Sequence, residues 1–334
     1  MLTMHSPLSY LKKLELFKVL DESREKEFYA IVDQRVKNHL PQWIQFSTHV
    51  FWLTNPEDQK NLEDYARAVT FLLKQGIHRK SVLHAIGGGA TTDFAGFVAS
   101  TILRGIPWVA IPTSLLAMID GSIGGKVALN LPEGKNLIGA FHQPEKVLIS
   151  GDFLTTLSQD DWLSGKGEVL KYAFLSRDIN AMVRKKTPIE EIAVACAKFK
   201  TQIVDEDYKE SGKRMLLNLG HTMGHAFELG LGIPHGIAVA MGLKYLFTLF
   251  DQTENLNEWN TLTDALGMRG EKLELSHYSH FSRSKFLQFI DQDKKKRGTT
   301  LQLIMVREVG FCYIEEIPMK DFKQRIEEKL EFSY

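Results

Sequence analysis

Ser81-Val-Leu-His-Ala-Ile86, running directly into Gly87-Gly-Gly89 and then Ala90-Thr-Thr-Asp93, is the stretch that decides the fold. A short apolar run that ends in glycines and passes into a helical pattern reads as strand, tight turn and helix. Glycines at such a turn let the backbone approach a pyrophosphate, and the helix N-terminus adds partial positive charge. The triplet is not GxGxxG, and a tight turn that holds no ligand would read the same way.

The same alternation extends on both sides. Upstream, Val50-Phe-Trp-Leu53 before Thr-Asn-Pro predicts a strand. Asn61 to Gln75 carries apolar residues at helical spacing (Leu62, Tyr65, Ala66, Val69, Leu72, Leu73), with Gly76 as its stop. Downstream, Asp93 to Leu103 predicts a helix and Trp108 to Ile111 a strand. This order implies a parallel sheet with helices on its faces, an α/β dinucleotide-binding domain over residues 1–150. From 151 to 334 the texture is helical: Gly167 to Leu175, Ile189 to Asp205, Met215 to Leu229 and Ile237 to Phe250, with a charged surface helix over Asp321 to Leu330. The second domain is expected to be mainly α-helical.

A length of 334 residues suits two domains, and an apolar share of 44% is ordinary for a globular chain. Formal net charge is zero, so no electrostatic argument points to nucleic acid or an acidic membrane. The short basic run Lys294-Lys-Lys-Arg297 reads as a solvated loop. The most apolar region, Phe94 to Ile119, is interrupted by Arg104, Pro107 and Pro112 and does not suit a membrane span. Cys196 and Cys312 form no disulfide framework, and Met-Leu-Thr-Met-His-Ser-Pro has no signal-peptide pattern, so a reducing cytoplasm is expected.

Chemistry concentrates at His221-Thr-Met-Gly-His225 and Pro234-His235-Gly236. Histidines four apart share one helix face, and a third in a loop can close on the same point. Three imidazoles, or two and a carboxylate, make a divalent metal site with a position open to substrate. A pair of packed helix histidines would give the same spacing. Arg214 and Asn218 continue the stripe of His221 and His225 through an otherwise apolar segment, which suggests the wall of a polar pocket. Lys171 follows Glu168 by three residues, a pairing that would be worth little at a surface. Asp93, Thr113 and Ser114 suit polar contacts along the nucleotide groove. Asp120, next to Gly121-Ser-Ile-Gly-Gly-Lys126, suits ligand contact better than packing. Lys126 and Lys135 sit in glycine-rich stretches, read as loops. With Arg104, Lys171, Lys200 and Arg214 they form a set of cations that implies an anionic substrate, phosphate or carboxylate.

Taken in order, these phrases resemble the 3-dehydroquinate synthase family of sugar-phosphate cyclases. The matching segments are Pro56-Glu57-Asp-Gln-Lys60, Gly87 to Asp93 with Ala95-Gly-Phe97, Leu103-Arg-Gly105, Pro112-Thr113, Asp120 to Lys126, Gly134-Lys-Asn136-Leu-Ile-Gly139, Gly167-Glu-Val-Leu-Lys171, Arg214 to His225 with Glu228, Pro234-His-Gly236 and Asp293-Lys294-Lys295. The resemblance implies an NAD-binding domain, a helical metal-binding domain and a homodimer. It implies zinc, or cobalt, on Glu168, His221 and His235, and moves His225 from ligand to substrate contact. It implies NAD contacts from Glu57, Lys60, Gly88, Gly89, Asp93, Thr113, Ser114, Asp120 and Lys135. Substrate contacts follow from Asp120, Lys126, Asn136, Lys171, Lys200, Arg214, Asn218, His225 and Lys294, with Arg104 reaching the neighbouring subunit's substrate. Within that set, the phosphate falls to Lys126, Asn136, Asn218, His225 and Lys294, and the carboxylate to Lys200 and Arg214. The implied carbon–oxygen lyase converts a phosphorylated seven-carbon keto acid to 3-dehydroquinate in the shikimate pathway. Its course is transient oxidation by NAD, phosphate elimination, re-reduction and aldol closure.

The chain departs from the pattern at Ile237, where an acid is usual after His-Gly, at Thr92 in place of glycine, and at Ser150 in place of an acid. Loss of the acid at 237 is expected to loosen the metal's surroundings if that group orders them. Other readings are a cyclase for a different sugar phosphate, a metal-dependent glycerol or alcohol dehydrogenase, and an inactive paralogue.

Overall fold

A computed structural model of the chain describes residues 8–24, 27–268, 273–278, 280–292, 296–297 and 299–332. They form two compact units, Met1–Ser158 with Ala197–Lys209, and Gln159–Cys196 with Glu210–Tyr334.

The first unit is built on strands β1 (Leu8–Tyr10), β2 (Tyr29–Asp33), β3 (Val50–Leu53), β4 (Leu83–Gly87), β5 (Trp108–Pro112), β6 (Lys126–Leu131), β7 (Gly134–Phe141) and β8 (Lys146–Ile149). Six of them make a sheet in the order β1-β8-β5-β4-β2-β3, parallel at every pairing. Every residue of β2, β4 and β5 is buried, as expected for parallel strands covered on both faces. Its helices are α1 (Lys13–Arg24), α2 (Gln42–Gln45), α3 (Leu62–Lys74) and α4 (Gly89–Thr101). Asn61 caps α3 by accepting from the Asp64 backbone N–H, and the chain leaves that helix through Gly76 at φ 89°.

Helix α4 starts four residues earlier than expected. The chain turns out of β4 at Gly88 straight into the helix, and the Thr92 N–H donates to the Gly88 carbonyl at 3.0 Å. From β2 the chain moves outward to β3, returns to β4 beside β2, and then proceeds to β5 and β8 on the other side. The strand order therefore reverses between β2 and β4. Strands β6 and β7 pair antiparallel as a separate hairpin. Lys126, Lys135 and Asn136 consequently stand within the strands of this hairpin, not in loops.

The second unit contains α5 (Gln159–Leu175), α6 (Arg177–Arg184), the first part of α7 (Ile189–Glu206), α8 (His221–Leu231), α9 (His235–Leu249), α10 (Thr253–Ala265), α11 (Arg283–Gln292) and α12 (Met319–Lys329). Its core is aromatic: Phe174 of α5 packs on Phe247 of α9 at 4.9 Å, and Phe227 of α8 stacks on Phe286 of α11 at 4.9 Å between ring centroids.

One local reading is corrected here. The helix expected over Met215 to Leu229 is two pieces. Lys213–Asn218 is a 3-10 turn, and α8 begins only at His221, after Gly220 at φ 77°. A β-carbon at Gly220 would sit 2.9 Å from the Leu243 side chain of α9, so the break is where α9 presses against the chain. Arg214 and Asn218 therefore do not share a helical stripe with His221 and His225. The unit also holds an antiparallel sheet, in the order β11-β10-β9, from β9 (Lys296–Arg297), β10 (Thr300–Glu308) and β11 (Phe311–Pro318). An apolar run such as Leu301 to Val306 fits a buried helix or a strand; its partner across the Gly310 turn decides. Among the described residues, no helix is long and apolar enough to cross a membrane.

Candidate active site

Glu168 on α5, His221 at the start of α8 and His235 at the start of α9 bring one ligand atom each to within 4.8 Å of one another. Glu168 Oε1 lies 3.3 Å from His221 Nε2 and 3.1 Å from His235 Nε2. The outer nitrogens are occupied. His221 Nδ1 donates to the Leu219 carbonyl at 3.1 Å, and His235 Nδ1 bonds Glu228 Oε2 at 2.8 Å. A carbonyl only accepts, so the proton of a neutral His221 resides on Nδ1 and the Nε2 lone pair faces Glu168. Helix packing makes this convergence possible, since α5 crosses α9 at Gly167 and Gly236, the residues flanking Glu168 and His235.

The electrostatics are those of a buried charge cluster. Glu168 and Lys171 are each 0% exposed, and the Lys171 ammonium touches Glu168 Oε2. The pair is thus a core ion pair, unlike the weak surface contact its spacing also allowed. Burial raises the Glu168 carboxyl, but the Lys171 ammonium and the two histidines outweigh it and hold the carboxyl well below its usual range. Burial lowers His221, against Glu168, and keeps it neutral. Burial also opposes charge on His235, yet its bonds to Glu168 and Glu228 push that imidazole up to about 10. His225 is exposed, its ring 5.3 Å from His221 and 6.3 Å from His235.

In the first unit, the carboxyl ends of β4 and β5 meet at the glycine turn. The Thr113 N–H donates to the Gly87 carbonyl at 2.9 Å. A β-carbon on Gly88 would lie 3.4 Å from Ser114 Oγ, whereas one on Gly89 would meet nothing within 4 Å. The N-terminus of α4 is thus open at Gly89. Lys60, 4% exposed, donates to Asp93 at 2.6 Å and to Asn136, tying the β3–α3 loop, α4 and the β6–β7 hairpin together. Burial pushes the Asp93 carboxyl up, against the pull of Lys60. Glu57 accepts from Asn130 at 3.2 Å and lies 3.8 Å from Lys135 Nζ. Lys200 on α7 donates to the carbonyl and the carboxylate of Asp120.

The remaining site residues are placed as follows. Lys126 opens β6 with its side chain exposed. Arg104 is exposed at a corner where it and Leu103 take φ values of 72° and 52°. Arg214 is buried, and Asn218 donates to Glu210 at 2.7 Å. Lys294 lies outside the described residues. Thr92 keeps its hydroxyl on the helix, donating to the Gly89 carbonyl at 3.0 Å, and Ser150 donates to Asp152 at 3.0 Å. Ile237 is 4% exposed in the core, while Glu228 and the Leu219 carbonyl hold the imidazoles.

Two candidates escaped the sequence reading. Glu228 stood in the matching phrase without a role, though it lies seven residues before His235. Asp33 closes β2 beside the glycine turn; the available signal was an acid directly after the apolar Tyr29-Ala-Ile-Val32.

Comparison with known proteins covers most of the chain. The profile described as "3-dehydroquinate synthase N-terminal" matches residues 50–164, and "3-dehydroquinate synthase C-terminal" matches residues 165–296. The 3-dehydroquinate synthase of Staphylococcus carnosus is 38% identical over 325 residues, covering 89% of this chain and 87% of that protein. That of Halalkalibacterium halodurans is 37% identical over 303 residues, 85% and 81% of the two chains. Among solved structures, 2-deoxy-scyllo-inosose synthase complexed with carbaglucose-6-phosphate, NAD+ and Co2+ superposes with a TM-score of 0.81. It is 22% identical, covers 97% of this chain and 96% of its own, and so speaks for the fold. With both profiles in register and relatives matched over more than four-fifths of their length, the chain belongs to the 3-dehydroquinate synthase family of phosphate-eliminating lyases.

Proposed function

We propose that the chain converts 3-deoxy-D-arabino-heptulosonate 7-phosphate to 3-dehydroquinate and phosphate, using NAD and a divalent metal, as a cytoplasmic homodimer. The observation that carries the metal is the convergence of Glu168, His221 and His235, whose ligand atoms lie within 4.8 Å of one another. One carboxylate with two imidazoles suits zinc or cobalt. The open N-terminus of α4 at Gly89 suits a pyrophosphate.

When bound, the metal polarises a substrate hydroxyl and NAD supplies reversible hydride transfer. The protein's own part is charge and position. Lys171 keeps Glu168 ionised, and Glu228 and the Leu219 carbonyl orient the imidazoles. In the first unit we assign the NAD contacts to Glu57, Lys60, Gly88, Gly89, Asp93, Thr113, Ser114, Asp120 and Lys135. Lys126 and Asn136 are assigned to phosphate and Lys200 to carboxylate. In the second unit Arg214 is assigned to carboxylate, and Asn218 and His225 to phosphate. Arg104 is assigned to the neighbouring subunit's substrate, in keeping with its exposed corner.

The test is phosphate release from this substrate with zinc and sub-stoichiometric NAD, with NADH absorbance followed in parallel. Phosphate and 3-dehydroquinate without net NADH are expected. No release from this substrate would move the assignment to another sugar phosphate. NADH accumulating with simple polyols would move it to a dehydrogenase.

A further inference from the structure

The hairpin of the first unit is irregular at one place. Leu129 of β6 pairs with Ile138 of β7, and Leu131 pairs with Gly134. Between those two pairs β6 supplies one residue, Asn130, and β7 supplies three, Lys135, Asn136 and Leu137. A bulge of this kind takes residues out of the ladder and re-aims their side chains. Asn136, at its centre, has φ 56°, a left-handed conformation that asparagine tolerates better than most residues and that still needs support from its surroundings.

Asn130 supplies that support. Its Oδ1 accepts from the Asn136 backbone N–H at 3.0 Å, and its Nδ2 donates to Glu57 Oε1 at 3.2 Å. An N–H only donates and a carboxylate only accepts, so these two contacts fix which way the Asn130 amide faces. The Asn130 backbone N–H, outside the ladder, donates to the Lys60 carbonyl at 2.7 Å. The Lys60 ammonium in turn donates to Asn136 Oδ1 and to Asp93. The Asn136 side chain is exposed and its oxygen is held by the buried Lys60, so what it offers an incoming anion is its NH2.

We propose that Asn130 is a positioning residue for the substrate phosphate, acting through Asn136, which it holds in the bulge with the amide NH2 presented to the anion. This inference rests on the assignment of Asn136 to phosphate made above. The test is a double-mutant cycle on kcat/KM of the zinc-loaded chain at saturating NAD+, with NAD+ binding titrated separately. Asn130→Ala should lower kcat/KM by about ten-fold or more and change the NAD+ dissociation constant by less than about three-fold. Asn136→Gly, which removes the amide and tolerates a positive φ, should lower kcat/KM by a similar factor. The double variant should fall within about two-fold of Asn136→Gly, because Asn130 acts through a group already removed. Losses that multiply in the double variant would overturn the proposal, as would a parallel loss of NAD+ affinity in Asn130→Ala. If the wild-type chain is active and Asn130→Ala matches it, the positioning role falls and the proposed function stands. If the wild-type chain releases no phosphate from the proposed substrate, both fall. Should Asn130→Ala fail to fold, Asn130→Ser carries the same cycle.

Discussion

Gly167 and Gly236 are in backbone contact. A β-carbon on Gly167 would lie 2.0 Å from the Gly236 carbonyl oxygen, and one on Gly236 would lie 2.3 Å from that of Ser164. Glu168 follows the first glycine and His235 precedes the second. The close crossing lets a carboxylate and an imidazole meet at 3.1 Å. Gly167→Ala should push α5 off α9, destabilise the fold by about 1–3 kcal/mol or more, and separate Glu168 from His235. Thermal unfolding and zinc competition against a chromophoric chelator check this; wild-type zinc affinity in the variant would show that the crossing does not set the triad.

Glu228 holds His235 from behind, 2.8 Å from Nδ1. Removing such a support typically costs about 10–100-fold in metal affinity. Glu228→Ala should show that loss with little change in unfolding temperature, because the Glu228 side chain is partly exposed. An unchanged zinc dissociation constant would mean that packing alone orients the imidazole.

Ile237 should behave as a core residue. Ile237→Ala is expected to cost about 2–4 kcal/mol through the cavity it leaves, with zinc affinity close to wild type. Chemical denaturation gives the first quantity and chelator competition the second. A large metal defect without destabilisation would return residue 237 to the metal's surroundings.

His84, buried in β4 and stacked on Phe28, should impose a pH dependence on stability. Burial lowers its pKa to about 4, against hydrogen bonds to the Tyr29 and Val82 backbone. The unfolded chain binds the proton more readily, so this contribution is full above the ordinary value of about 6.5 and is lost as pH falls from there towards 4. The whole span is on the order of 3 kcal/mol. Urea unfolding at pH 7 and pH 4.5 should show a smaller loss for His84→Gln than for wild type. Equal losses would remove His84 from the acid sensitivity.

What the sequence determined by itself is local. The β4–glycine–α4 unit, the α3 helix with its Asn61 and Gly76 ends, and the clustering of His221, His225 and His235 follow from patterns a few residues wide. The family resemblance added roles that no periodicity carries. Tertiary structure decided everything that depends on a second segment. HxxxH on one helix face made His225 as good a ligand as His221. The resemblance named Glu168, from a helix over fifty residues earlier, and the structure brings its carboxylate to His221 and His235 where two glycines let helix backbones touch. The run is broken before α8 by Gly220 at φ 77°, where a β-carbon would meet Leu243 of α9, and β10 pairs with β11. Asp33 was unremarkable until the sheet order set it next to Gly87. Short-range preference is written residue by residue, whereas the meeting of distant groups is set by packing shape, which no local window contains.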